Sequence, residues 1–358
     1  MITLNQHRNG ITQAAIARYS DDAPVRAGLS PFFPSQTTTA KQVSIEVERN
    51  RQLIAVDVQR STDPNRNTFS KSTEKLFVPP FYNEAWDFTS MDRYDVTFGV
   101  NAAPSHQDAV NMITYAANRL ASMRAKINRA IELQRAQAVT SGIVQLVNGD
   151  NIDYKRKAAS VGAVAASGNW TASTGDPAKD IEVGCNFLRE EGLSSVSNVH
   201  CILGQDAFSA FMNNDAIKEK ADFRRISRLE LGMPQFDNVT GLVFHGQLGT
   251  ADYKVNIWTY NEFYEAANGD KTKYIDADKM ILIPEDFKGT TAYAGTPLIV
   301  RDLGNAEYPA YISQNEGEFT VNNYIDQVKK AHWFEIASAP LAVPVSVDRL
   351  YTLAVLTT

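Results

Sequence analysis

The longest unbroken pattern in the chain runs from Ser105 to Thr140, a stretch with neither proline nor glycine. Apolar residues recur at Val110, Ile113, Ala117, Leu120, Ile127 and Ile131, the three- and four-residue spacing of a helix that buries one face. Ser105, after Pro104, and Asp108 make a capping-box-like start, and Ser141-Gly142 a stop. At 1.5 Å per residue the helix over 105–140 is about 54 Å long, well past the ~30 Å of a small domain, so it lies across several units. The intervening positions carry Arg119, Arg124, Lys126, Arg129 and Arg135 against Asp108 and Glu132, which reads as a solvated, net positive face. Arg124 and Gln134 interrupt the seam that a coiled coil would need.

Ahead of this helix the period changes to two. Val43, Ile45 and Val47 alternate with Ser44, Glu46 and Glu48, and Ile54, Val56 and Val58 repeat the alternation after Arg49-Asn50-Arg51. Two strands joined by a turn are predicted. The following segment, Arg60 to Thr73, has Phe69 as its only large apolar residue and reads as an exposed polar tip. An extended hairpin, returning through KLFV to Pro79-Pro80, fits these strands better than a core does. DRYDVTFGV predicts a further strand before the helix. Residues 1–40 read as an arm, with a short helical stretch near Thr12 to Tyr19 and the proline-punctuated run SPFFPSQTTT; Phe32 and Phe33 need covering by their own subunit or by a neighbour.

Beyond the helix, IVQLVNGDNIDYKRK reads as a hairpin around Asn148-Gly149. The Ala-, Gly- and Ser-rich AASVGAVAASGNWTASTG reads as a linker or loose loop, with a boundary near residue 175. Asp176-Pro177 then opens a helix with Ile181, Cys185 and Leu188 on one side, closed by Gly192. NVHCILG is a buried-type strand, QDAFSAFMNN a helix, and NDAIKEKADFRRISRLE a charged continuation. Strands are predicted at GLVFHG, YKVNIWTY and KMILIP, making a mixed α/β unit, and the final HWFEIASAPLAVPVSVDRLYTLAVL reads as strands returning beside earlier elements.

A chain of 358 residues, 44% hydrophobic and 21% charged, can bury two or three real cores. The formal net charge of −6 argues against a dedicated nucleic-acid binder or a polybasic membrane-surface protein. No signal-peptide core or apolar run long enough to span a membrane occurs. Cys185 and Cys201 are the only cysteines; a pair sixteen apart implies neither a disulfide framework nor a four-ligand zinc site, and buried free thiols are expected. The two Asn-x-Ser/Thr matches, at Asn169 and Asn238, carry little weight in a chain without a secretory signal.

A search for catalytic, cofactor and metal motifs finds none. There is no nucleophile elbow, no His-Glu-x-x-His, no phosphate-binding loop and no dinucleotide fingerprint. His200 and Cys201 are adjacent in a strand and therefore point to opposite faces. Asp276 and Asp278 share a face but are flanked by Lys273 and Lys279 and lack a glycine-turned loop, so a solvated turn is expected. Glu190-Glu191 sits at a helix end and requires no catalytic reason.

Taken in order, QRSTDPNRNTFSKSTEKLFVPPF, GDPAKDIE, NVHCILGQDAFSAF with AIKEKADFRR, and IASAPLAVPVSVDRLYTLAV resemble the major capsid proteins of tailed bacteriophages, most closely the lambda-type capsid protein E family. The resemblance covers most of the chain from about residue 30. It implies an α+β, HK-ninety-seven-like fold: an arm at 1–40, an extended hairpin loop with flanking strands at 41–100, and a peripheral domain at 101–175 whose spine is the long helix. An axial domain at 176–325 and C-terminal strands at 326–358, returning to the peripheral domain, complete it. The implied function is a non-enzymatic shell subunit forming pentamers and hexamers of an icosahedral head around double-stranded DNA, in the virion and, during assembly, in the host cytoplasm.

The implied partners are other copies, a scaffolding protein, the portal, the packaged DNA without sequence-specific binding, and in some members a decoration protein; no membrane is implied. The start at Met1 without a long helical preface resembles members whose scaffold is a separate protein. Phe32, Phe33, Arg60, Arg66, Phe69, Lys71 and Lys75 are the expected intersubunit contacts. Some relatives join subunits by a Lys–Asn isopeptide bond, but no Asn and Glu partners for Lys71 or Lys75 are identifiable, and no crosslink is predicted. The alternatives are a cellular nanocompartment shell of the same fold and an α/β enzyme built on the region after residue 176.

Overall fold

The computed structural model describes residues 25–47, 73–89, 106–146, 150–221, 229–250, 252–266, 268–301, 310–326, 328–329 and 331–356. The predicted helical stretch at Thr12 to Tyr19, the strands at Ile54 to Val58 and DRYDVTFGV, and Arg60, Arg66, Phe69 and Lys71 lie outside these residues.

The long helix, α1, is His106–Thr140, 35 residues, a length of roughly 52 Å. Its stripe is buried as the spacing predicts: Ala116, Ala117, Leu120, Ile127 and Ile131 pack with Phe334 and Ile336 of the three-stranded antiparallel sheet Tyr82–Thr89, Ala331–Ser338 and Thr320–Asp326. One further turn along, Ala136 and Val139 enter a second core with Leu29, Phe33 and Ile202. Ala138 enters a third with Val144, Ile152, Tyr154, Leu341 and Val343. One helix is thus a shared wall of three cores.

Gly142, at φ +73, ends the helix in the left-handed region, where a Cβ would also collide with the Arg156 side chain. The Arg156 guanidinium donates to the carbonyls of Val139 and Thr140 and to Leu350 and Ser160. It therefore satisfies orphan carbonyls at the helix C-terminus and ties them to the C-terminal chain. Burial lowers its pKa to about 10, opposed by Asp348.

The second large unit is a seven-stranded sheet. Its order is Val161–Ala163, Tyr351–Ala354, Lys279–Pro284, Val199–Leu203, Lys254–Tyr260, Leu242–Gly249 and Leu229–Phe236. Only the Lys254–Tyr260 with Val199–Leu203 and the Tyr351–Ala354 with Val161–Ala163 pairings are parallel. Alternation sorts the side chains onto two buried faces. Cys201, Leu203, Val255, Ile257, Met280 and Leu282 face one core, covered by α2 (Pro177–Glu190) and α3 (Gln205–Asn213), with α4 (Asp215–Ala221) alongside. Ile202, Ile281, Ile283 and Tyr260 face the arm and α1. In α2, Asp176 caps the amides of Ala178 and Lys179, and Ile181, Cys185 and Leu188 are buried, as predicted.

Several expectations need correction. The supposed linker after residue 157 is structural: Val161–Ala163 is an edge strand of the large sheet, and Trp170 is 1% exposed in its core with its Nε1 donating to Asp180 at 2.8 Å. Low side-chain volume hid a strand that the C-terminus completes from 191 residues away in sequence. For the same reason the chain does not divide cleanly near 175. Of the C-terminal strands, Ala331–Ser338 and Pro340–Pro344 pack on α1, while Tyr351–Ala354 joins the large sheet and meets α1 through the Thr352 hydroxyl, which donates to the Val139 carbonyl. Within the arm, Ser35–Thr37 pairs in parallel with Gly289–Tyr293. Val43–Val47 pairs with the returning Thr73–Phe77, as an extended hairpin that returns through KLFV predicts. The charged continuation after α3 also ends earlier than predicted, since Leu229 and Glu230 already belong to a strand.

If residues 158–175 are core, Trp170→Ala should cost about 3–5 kcal/mol in urea unfolding of the subunit, as for other large-to-small core replacements. A linker position would leave the midpoint unchanged.

Candidate functional site

The arm is held by a buried polar centre on α1. Glu132 is 0% exposed and Arg135 6%, although both belong to the face that the charge pattern assigns to solvent. The Glu132 carboxylate accepts from the Leu29 amide at 2.8 Å, the Tyr260 hydroxyl at 3.0 Å and Arg135 Nη1 at 3.3 Å. Arg135 also donates through Nε and Nη2 to Thr291 Oγ1 at 3.2 and 3.1 Å, and that hydroxyl donates on to the Phe33 carbonyl at 3.2 Å. The Gly28 amide donates to Tyr260 Oη at 3.2 Å, an approach that leaves no space for a Cβ at residue 28.

Arm, spine and sheet therefore meet at one ion pair in a low-dielectric setting, where each member depends on the other. Burial raises the Glu132 pKa, opposed by Arg135, the Leu29 amide and Tyr260. The sequence signal was an i,i+3 charge pair flanked by Ile131, Ala136 and Val139, and a face assigned by residue type alone conceals it.

This anchor sets one wall of an open groove of about 670 Å³, within the roughly 300–1,000 Å³ typical of binding clefts. Phe32 from the arm is half-buried and packs edge-on against His200, with ring centroids 5.6 Å apart. Trp258 lies on the other side of His200, and its Nε1 donates to His200 Nδ1 at 3.2 Å. Burial lowers the His200 pKa, opposed by Glu285, in keeping with a neutral ring that accepts this bond. Phe287 completes the apolar lining. Cys201 points to the opposite core, as strand geometry requires, and burial raises its thiol pKa well above the usual range. Cys185, also buried and free, is pushed up to about 12, so neither thiol is an activated nucleophile.

Phe33 is 1% exposed, and its ring meets Phe287 edge-on at 5.7 Å. Its cover is its own subunit, which corrects the expectation of a contact to a neighbour. Lys75 lies in the returning strand of the hairpin base, opposite Ile45. Asp276 pairs with Lys279 and Glu191 with Lys157, the bland readings expected for those carboxylates. Among the described residues no group of three or more His, Cys, Asp or Glu is arranged to hold a metal, and no helix is long and apolar enough to cross a membrane.

Several large apolar side chains are left on the surface. Val78 and Phe81, 51% and 52% exposed, flank Pro79-Pro80 where the hairpin base meets the three-stranded sheet. Met233 is 89% exposed in the edge strand Leu229–Phe236, where the ladder register jumps from Gln235 to Leu231. That bulge, with Pro234, blunts the edge against uncontrolled strand addition. Ile312, 76% exposed, and Val328, 93% exposed, stand on a hairpin and a turn. The hairpin Thr296–Arg301 with Ala310–Asn315 is clipped to its neighbouring strand by Asn322, which accepts from the Ile299 amide and donates to the Pro297 carbonyl.

A model of the family phage major capsid protein E matches residues 14–355. Among solved structures, a prophage protein of E. coli CFT073 ascribed to the capsid is 18% identical, with 98% of each chain covered and a TM-score of 0.60. A phage-related protein from Bordetella bronchiseptica RB50 is 12% identical, with 97% of this chain and 96% of that chain covered and a TM-score of 0.48. An encapsulin from Synechococcus elongatus PCC 7942 is 12% identical, with 95% and 94% covered and a TM-score of 0.43. The first of these shows a shared fold, the HK-ninety-seven-like capsid fold. No curated protein sequence matches the chain.

Replacing Glu132 by Ala should destabilise the subunit by about 3–5 kcal/mol, because Arg135 keeps a buried charge without a partner. The double replacement Glu132→Leu, Arg135→Met should cost less than that single change, measured by urea unfolding at pH 7. The raised carboxyl pKa means that folding takes up a proton between the ordinary carboxylate range and the raised value. The contribution of Glu132 is therefore full below that window and falls as pH rises through it, a slope that Glu132→Gln should remove.

Proposed function

The chain belongs to the phage major capsid protein E family, and on that premise we propose that its copies close as pentamers and hexamers into an icosahedral head around double-stranded DNA. The protein is a capsid shell subunit of the virion, and self-assembly is its activity. The match over residues 14–355 carries this reading. We also propose that no reaction is catalysed, that assembly takes place in the host cytoplasm, and that a scaffolding protein and the portal act with it. Packaged DNA would be confined mechanically, which accords with a subunit of net charge −6.

The physical case supports the same view. The hairpin base is a two-stranded ribbon whose Val43 and Phe77 pack on the rest of the subunit, and two-stranded ribbons do not stand alone in water. The residues between its strands, including Arg60, Arg66, Phe69 and Lys71, together with Lys75, are placed by this proposal against a neighbouring subunit. The exposed Val78, Phe81, Ile312 and Val328 supply further apolar contact. Each contact can stay weak, because closure of a shell multiplies them. A nanocompartment shell shares the fold alone, whereas the family match is to a phage capsid protein.

Electron microscopy of the chain expressed alone, and then with the genes adjacent to its own, should show uniform shells or five- and six-fold rings. Deleting residues 60–73 should reduce them while leaving the urea midpoint of the subunit in place. Monomers alone under both conditions would overturn the reading.

A further inference from the structure

We propose that the groove between the arm and the large sheet receives Phe69 of a neighbouring copy, an inference that rests on the assembly reading above. The groove presents an aromatic lining of Phe32, Trp258 and Phe287 around His200, and none of the described residues of its own subunit fills it. An apolar cleft of this size on a shell subunit gains by admitting one large apolar side chain. Between Arg60 and Thr73 the chain offers one, Phe69, in an otherwise polar segment.

Charge favours the same pairing. The rim carries exposed Glu285 and Asp237 against Lys288, a surplus of one negative charge. The segment from Arg60 to Thr73 carries Arg60, Arg66 and Lys71 against Asp63, a surplus of two positive charges. Arg66 and Lys71 flank Phe69 closely enough to meet the rim as the ring enters.

Chain length makes the idea geometrically sharp. Phe69 precedes Thr73, the first paired residue of the returning strand, by four positions, so it sits at most about 14 Å from the hairpin end. The hairpin base packs on the core around Tyr154 and Leu341, whereas the groove is lined by residues of the separate sheet–arm core, Ile202, Leu242 and Phe287. A neighbouring hairpin end must therefore approach the groove within that distance.

The test is a disulfide between Phe69→Cys and Thr290→Cys, the latter on the groove wall, formed by mild oxidation of assembled particles. The expected result is a ladder of covalent multimers on a non-reducing gel from particles, and none from free subunits. Phe69→Ser and the groove-filling Thr240→Trp should each raise the subunit concentration needed for assembly roughly tenfold or more, and combining them should add little, whereas Phe69→Leu should stay near wild type. Normal shells without the ladder, or a crosslink confined within one chain, would overturn this contact and leave the capsid reading intact. If the unmodified chain forms no oligomer at all, the assembly reading falls and takes this inference with it.

Discussion

The whole subunit depends on a charged pair buried in the C-terminal third of α1. Glu132 and Arg135 sit where α1 passes from the three-stranded sheet to the large one, and they hold the arm by its backbone at Leu29 and Phe33. A buried pair of this kind is weak as a source of net stability and strong as a selector of geometry, because any alternative packing strands a charge. Helix register, arm path and the position of Thr291 on its strand are therefore specified together. A purely apolar contact at the same place would let the helix slide against sheets that it touches for most of its length.

From that joint the plate extends both ways. Toward one end, α1 lies on a three-stranded antiparallel sheet through Leu120, Ile127 and Ile131. At the other, Arg156 caps its last carbonyls and links them to the C-terminal strand. A subunit stitched through long-range contacts in this way is rigid before it meets a partner. What it leaves exposed among the described residues, the aromatic groove and isolated apolar side chains, is then free to serve assembly. Many modest contacts in a closed shell allow each to remain reversible while errors are corrected.

Much of this architecture was legible in the residues. The long helix, the cap and buried face of α2, the opposed faces of His200 and Cys201, and most strands of the large sheet follow from periodicity and from turn and cap chemistry. The order of those weak signals carried the family likeness, since no single motif did. What escaped the reading was long-range pairing. Val161–Ala163 has too little side-chain volume to announce a strand, and its partner is the C-terminus. The buried ion pair was hidden because a charged residue reads as solvated until a tertiary partner is known, and the groove because its walls come from the arm and four separate strands.

The account's central claim is that the subunit is built around the spine first and that assembly uses what remains outside it. Hydrogen–deuterium exchange on free subunits and on assembled shells measures both halves at once. The account predicts slow exchange at Leu29, Phe33 and residues 127–139 already in the free subunit, with new protection on assembly at the hairpin base and around residues 237–242 and 285–290. Fast exchange along the spine until shells form, with no change at the groove, would contradict it.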